Sequence, residues 1–343
     1  MDMCAALPVI VHHECGDPSA HGYLLDCLRQ TVRCNENTVL LGSTNWKPLL
    51  PEGVAFADAK ALEDSRLAEF ERVYVDLAPY YSNSLIFFRR LFLMETYLRR
   101  NGLHEAVLLD SDILLYQDLT DFPRFRECDF ACCIDENQHF SKEDTQGLRW
   151  FANCGISYWT LDALDDFLTF LQDSYENHLD RLRVKYDYHV AHNIPGGVTE
   201  MSLIYLWVQD RPRMRFYNMS VPEDGKSFNN TVWFAVNYRD NEFLVDKRTR
   251  MKKFTIPKDG GLPIFYPVSG GTQQMYNIHF VGSAKRDMHD YQRYGHLRFG
   301  SRCRQLWQEW LLHGLRTFAH GDSPLSSTVH RLGKAAKGLL HLK

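Results

Sequence analysis

The chain has 343 residues, 45% hydrophobic and 24% charged, enough to bury a sizeable core in one large domain or two. A net charge of −4 argues against nucleic acid as a partner, and nine cysteines without paired metal-ligand spacing fit a reducing compartment. With no charged-then-apolar leader and no apolar run long enough to span a bilayer, a cytoplasmic location is expected.

The first predicted strand is Leu7–His13, followed by an amphipathic helix from Gly22 to Arg33 and a second strand, Thr38–Gly42. That is a βαβ unit with a right-handed crossover. Arg72–Asp76 reads as a third strand, and Ser84–Arg100 has the helical period, with Leu85, Phe88, Leu91, Phe92 and Tyr97 on its apolar face. Ala106–Leu109 is a buried strand, and Asp129–Ile134 is another. Leu161–Leu179 reads as a helix with an acidic start that suits its dipole, and Thr199–Gln209 as a further one. Residues 212–275 are rich in aromatics, Asn, Gly and Pro, the composition of short strands and loops.

Beyond residue 286 basic and aromatic side chains are interleaved, and Cys303–Phe318 and Val329–Lys343 read as helices. A helical cap on the preceding domain accounts for them. A basic-aromatic surface resting on an anionic membrane, peripheral to its inner face, is the functional alternative.

Two motifs carry chemistry. Asp110-Ser-Asp112 follows the apolar strand directly, and side chains at i and i+2 project to one side, so the two acids can share a hard divalent cation. Alone, such a triplet is most often a solvated turn. The second motif is Asn277-Ile-His279-Phe-Val-Gly282-Ser-Ala-Lys285. It offers an imidazole to a metal, a glycine that lets backbone approach a phosphate, and a lysine that supplies a point charge. Together the motifs describe a metal–diphosphate site.

This pairing resembles the GT-A-fold glycosyltransferases that use nucleotide-sugar donors, of the retaining glycogenin and lipopolysaccharide-galactosyltransferase group. Those enzymes carry an Asp-x-Asp after an apolar strand and a late His-Phe-x-Gly-x-x-Lys. The resemblance runs from about residue 7 to 290 in the same order. Ser82-Asn-Ser84-Leu-Ile-Phe-Phe-Arg89-Arg90-Leu91 stands where the family has its Ser-x-x-x-Tyr-x-Arg-Leu helix. Ala131-Cys-Cys-Ile-Asp135 matches its second acid-ended strand, and Phe151-Ala-Asn153-Cys-Gly155-Ile156 its Asn-Ser-Gly-Val segment. Two departures mark a divergent member: Glu200-Met201 replaces an Asp-Gln pair, and the phosphate motif ends Lys285-Arg-Asp instead of Lys-Pro-Trp.

The resemblance implies an α/β fold with a mixed, mostly parallel central sheet, flanking helices and a Rossmann-like nucleotide-binding half. It implies a catalytic domain over residues 1–285, divided near 118, and a helical extension over 286–343. The implied reaction moves a sugar from a nucleotide-diphosphate donor, UDP being the commoner nucleotide, to a glycan, lipid-linked or protein acceptor with retention of configuration. Asp112 and His279 are the expected metal ligands, with Asp110 shared between metal and ribose. Mn²⁺ suits oxygen ligands plus one imidazole, with Mg²⁺ the alternative. Gly282 and Lys285 would hold the diphosphate, and Arg90 would reach the donor. Asp135, Asn153 and Gly155 would meet the sugar, and Glu200 would face the anomeric centre. The nucleotide is expected near His12, His13 and Gly42. Two other classes fit the same acids: a metal-dependent nucleotidyltransferase or phosphohydrolase, and a non-catalytic nucleotide-sugar-binding protein.

Overall fold

The structure, a computed structural model, describes residues 7–15, 17–18, 21–78, 83–134, 148, 150–193, 196–229, 231–233 and 242–298. In chain order the elements of the central sheet and its helices are β1 (Val9–His13), α1 (Gly22–Cys34), β2 (Thr38–Gly42), β3 (Val54–Asp58), α2 (Ala59–Leu62), α3 (Ser65–Val73), α4 (Leu85–Arg100) and β4 (Glu105–Leu109). There follow β5 (Ile113–Leu115), β6 (Phe130–Ile134), β7 (Ala152–Thr160), α5 (Leu161–Glu176), α6 (Leu179–Ala191), α7 (Glu200–Gln209) and β8 (Phe216–Asn218). The remainder is short strands: β9 (Lys226–Ser227), β10 (Val245–Asp246), β11 (Met251–Lys252), β12 (Phe254–Thr255), β13 (Ile264–Phe265), β14 (Gln273–Met275) and β15 (Asn277–His279), and then α8 (Met288–Tyr294).

The main sheet has the order β3-β2-β1-β4-β7-β6-β8. Its β1–β2, β2–β3, β1–β4 and β6–β8 pairs are parallel, and only β7 runs against its neighbours. The expected α/β fold with a mostly parallel sheet is thus the one observed. From β1 the chain passes outward to β2 and β3 and returns to β4 on the other side. That reversal opens a crevice at the carboxyl ends of β1 and β4, where ligands bind in open α/β sheets.

Strand burial follows from composition. β1, β2, β4 and β6 are apolar runs covered on both faces, as parallel strands between helix layers must be. Helix α4 buries Phe88, Leu91, Phe92 and Leu98, and the aromatic cluster Phe70, Phe88, Tyr175 and Phe92 joins it to α3 and α5. On the far side, Trp207 of α7 stacks on Trp159 of β7 (ring centroids 5.7 Å apart) and meets Phe130 of β6 edge-on (5.2 Å). Burying such rings stabilises by about 1.5–3 kcal/mol each and sets where the first turn of α7 lies.

The expectation of a strand at Arg72–Asp76 is overturned. Arg72 and Val73 end α3, which Asp64 caps by accepting from Leu67 N at 3.0 Å. The third strand is instead β3, at the sheet edge. Helix α5 ends at Glu176, and a separate helix, α6, starts at Leu179. The chain divides after Met288 into two units. In the second, Asp290 accepts from the Arg298 N–H at 3.0 Å; the proposed helices Cys303–Phe318 and Val329–Lys343 lie outside the described residues. Among the described residues no helix is long and apolar enough to cross a membrane.

Candidate metal and diphosphate site

The Asp110-Ser-Asp112 turn leaves β4 at the crevice. Helix α1 holds the backbone of the turn and of the β5 strand after it: Cys27 Sγ contacts the Asp110 carbonyl at 3.7 Å, and Gln30 Nε2 donates to the Leu115 carbonyl at 3.1 Å. What brings the distant histidine here is the antiparallel β5–β15 pair, with Ile113 opposite His279 and Leu115 opposite Asn277. Phe280 N then donates to the Asp112 carbonyl at 2.9 Å.

The side chains converge. His279 Nε2 lies 3.2 Å from Asp112 Oδ1 and 4.0 Å from Asp110 Oδ2, and ligand atoms of all three residues fall within 4.8 Å of one another. Asp112 turns its other oxygen to Lys285, whose Nζ is 2.8 Å away and also lies 5.0 Å over the Tyr23 ring. Burial would raise the Asp112 carboxyl, but His279 and Lys285 beside it hold it well below the usual carboxylate range. Burial likewise opposes the Lys285 charge, yet Asp112 raises it above the ordinary lysine value.

Arg90 stands behind the site on α4. Its Nη1 donates to Asp110 Oδ1, while Nη2 donates to Glu200 Oε1 at 3.0 Å and contacts Cys154 Sγ at 3.2 Å. Although burial disfavours its charge, Asp110 and Glu200 raise Arg90 further above the ordinary arginine value. Glu200, in the first turn of α7 and only 3% exposed, is pushed up by burial against the pull of Arg90. Its Oε2 has no hydrogen-bond partner among the described residues. Arg90 therefore addresses two acids of the site, and Glu200 reaches the metal-ligand cluster through it.

Gly155 on β7 lies against the cluster. A Cβ there would fall 2.8 Å from His279 Cε1 and 3.0 Å from Asp110 Oδ2, inside normal contact. The close approach this glycine permits is thus to the imidazole. Its N–H donates to Asn153 Oδ1 at 2.9 Å, and its carbonyl accepts from Asp110 N at 2.6 Å. Gly282 has φ +62°, a left-handed conformation suited to glycine, and opens the short 3₁₀ turn that carries Lys285.

The two histidines ending β1 point to opposite faces, as strand alternation requires. His12 Nε2 sits 2.8 Å from Glu14 Oε1, which Arg89 also engages; His12 is therefore turned from the Asp-Ser-Asp segment. His13 faces that segment, with Nδ1 3.2 Å from Ser111 Oγ. Burial, with His21 and His12 nearby, pushes the His13 imidazole down to about 3, so it is neutral. Asp135 lies outside the described residues.

Sequence reasoning missed the clasp that sets His279. Asn229 Oδ1 accepts from His279 N at 3.2 Å, Asn229 N donates to Asn277 Oδ1 at 2.8 Å, and Asn277 Nδ2 donates to the Asn229 carbonyl at 2.9 Å. Asn229 begins a formal glycosylation sequon, but at 2% exposure it is committed to this pairing.

The residues fit a divalent cation. Two carboxylates and an imidazole are a donor set for Mn²⁺ or Mg²⁺, and the absent Cβ of Gly155 leaves the donors room to converge. The carboxylates are already countered by Arg90 and Lys285, which explains how they are tolerated at this depth.

Neither a family signature nor a curated protein sequence matches the chain. Solved structures similar to it include two glycosyltransferases. One is a glycosyltransferase involved in the glycosylation of the major capsid of PBCV-1, at TM-score 0.37 and 9% identity, covering 84% of this chain and 98% of that one. The other is the WbbM bifunctional glycosyltransferase in its apo form, at TM-score 0.44 and 14% identity, covering 96% of this chain and 52% of that one.

Proposed function

We propose that the chain is a metal-dependent glycosyltransferase that moves a sugar from a nucleotide-diphosphate donor, UDP first among nucleotides, to a glycan, lipid-linked or protein acceptor with retention. The observation that carries this reading is the convergence of Asp110, Asp112 and His279 at the strand-order reversal, with Lys285 beside them.

In the reaction the bond between the anomeric carbon and the β-phosphate oxygen breaks, and a bond from the acceptor oxygen to that carbon forms. The acceptor hydroxyl proton passes to the departing phosphate. Asp110, Asp112 and His279 would hold a divalent ion, Mn²⁺ first, which would supply Lewis-acid stabilisation of the charge that develops on the diphosphate. Lys285 adds its positive charge next to Asp112, and the Gly282 turn brings backbone close to the phosphates. Arg90 acts as a positioning residue, fixing Asp110 and Glu200 together. Glu200 and Asn153 are assigned to the sugar, with Asp135 as a further hydroxyl partner, and the nucleotide to the crevice beside the ends of β1 and β2. For residues 286–343 a peripheral contact with an anionic membrane surface is the alternative to a helical cap.

The test is a panel of nucleotide sugars with Mn²⁺, scored for slow donor hydrolysis without acceptor. Release of nucleoside diphosphate supports transfer chemistry, whereas pyrophosphate or monophosphate would move the assignment to phosphoryl chemistry. Proton NMR of fresh product reads the anomer, and inversion would remove retention.

A further inference from the structure

A second cluster of ligating atoms lies at the end of β1 and differs in chemistry from the first. His13, Cys15 and His21 each place a ligand atom within 4.8 Å of the other two. We propose that these three residues form a binding site for a soft or borderline transition-metal ion, Zn²⁺ in the first instance, separate from the carboxylate-rich site of Asp110, Asp112 and His279.

Three features of the cluster point to a ligand. The first is orientation. His13 Nδ1 is 3.2 Å from Ser111 Oγ and His21 Nδ1 is 2.8 Å from Tyr23 OH, so each imidazole has its far nitrogen engaged. Metal-binding histidines are held this way, with an outer partner fixing the ring while the second nitrogen faces the ion. The second is an unmet need. His13 is 8% exposed, and its Nε2 is buried without a hydrogen-bond partner among the described residues, a costly state for a polar atom. The third is that the thiol is carried on a fixed backbone. Trp46 Nε1 donates to the Cys15 carbonyl at 2.7 Å, Ser43 Oγ donates to the Glu14 carbonyl at 2.8 Å, and Cys15 Sγ is 2.9 Å from His21 Nε2.

The donor set selects the metal class. One thiolate and two neutral imidazoles match zinc and disfavour Mn²⁺ or Mg²⁺, which prefer oxygen. Binding forms one metal–sulfur and two metal–nitrogen bonds and releases the Cys15 thiol proton to solvent. Three protein ligands leave a fourth position for water or another small donor. The inference concerns different ligands and a different metal class from the glycosyltransferase reading, although the cluster borders the same crevice through His13 and Ser111.

The experiment is a Co²⁺ titration of the full-length protein followed by absorption spectroscopy, with Zn²⁺ as competitor. The expected result is a thiolate-to-cobalt charge-transfer band and tetrahedral d–d bands that saturate at one equivalent and vanish on adding Zn²⁺. Cys15→Ser should abolish the charge-transfer band while keeping the wild-type circular dichroism. His21→Gln should weaken cobalt binding, and Asp112→Asn should leave the band intact. No thiolate band in the wild type, or a band that survives Cys15→Ser, would overturn the proposal; so would a band lost in Asp112→Asn.

Discussion

Gly155 and His279 are packed against each other so closely that a Cβ on the glycine would lie 2.8 Å from the imidazole Cε1. The two residues are distant in sequence, one on β7 and one on β15. Any side chain at 155 therefore has to displace the ring that faces Asp112.

From this contact, Gly155→Ala should weaken Mn²⁺ binding roughly tenfold or more, the scale seen when metal ligands are mispositioned. Overpacking would add about 1–3 kcal/mol of destabilisation. Isothermal titration with Mn²⁺, set beside urea unfolding of the same variant, separates the two effects. Wild-type affinity in a folded Gly155→Ala protein would count against the role given to the glycine.

Arg90 joins Asp110 to Glu200 from a buried position. Replacing it with Met leaves two acids facing one another without their cation, a change expected to cost about 3–5 kcal/mol. The double variant Arg90→Met, Glu200→Gln should recover part of that loss, because the second acid is then neutral. Chemical denaturation of the single and double variants reads the coupling. Additive effects would show that the three residues do not act as a unit.

Lys252 gives a prediction about pH. Burial brings its ammonium down to about 8, partly opposed by Glu242, and its Nζ lies 5.3 Å over the Phe243 ring. A lysine with a depressed native pKa binds its proton less readily than the unfolded chain does. Its contribution to stability therefore rises with pH from about 8 to the ordinary lysine value and is flat below about 8. Lys252→Met should stabilise the protein at pH 7, on the order of 1–3 kcal/mol. The gap between variant and wild type should then close as pH climbs to 10.5. Urea unfolding at several pH values checks the trend, and a gap that stays constant would refute it.

Both chemical motifs were legible in the sequence because each is local: an apolar strand running into Asp110-Ser-Asp112, and His279 spaced from Gly282 and Lys285 within one turn region. β1, β2, β4, β6, α4 and α7 were legible for the same reason, since their apolar periodicity is strong. β3 was not, because Val54–Asp58 is a half-exposed edge strand whose short Val-Ala-Phe-Ala run leads directly into the helix α2. Val73, Tyr74 and Val75 gave a false one, as a β-branched and aromatic run at the end of a helix whose inward residues are Leu67 and Phe70. The Asn229–Asn277 clasp and the Asp110–Arg90–Glu200 chain depend on pairings between distant segments, which no window of sequence displays. His12 and His13 alternate across β1, so the sequence places them on opposite faces, and the structure pairs His12 with Glu14 and His13 with Ser111.

The central claim is that Asp110, Asp112 and His279 hold one divalent ion. Mn²⁺ titration followed by electron paramagnetic resonance, in the wild type and in His279→Ala, tests it most directly. The account predicts one tightly bound Mn²⁺ per chain in the wild type and its loss in the variant, with circular dichroism unchanged. Equal Mn²⁺ binding by both proteins would contradict it.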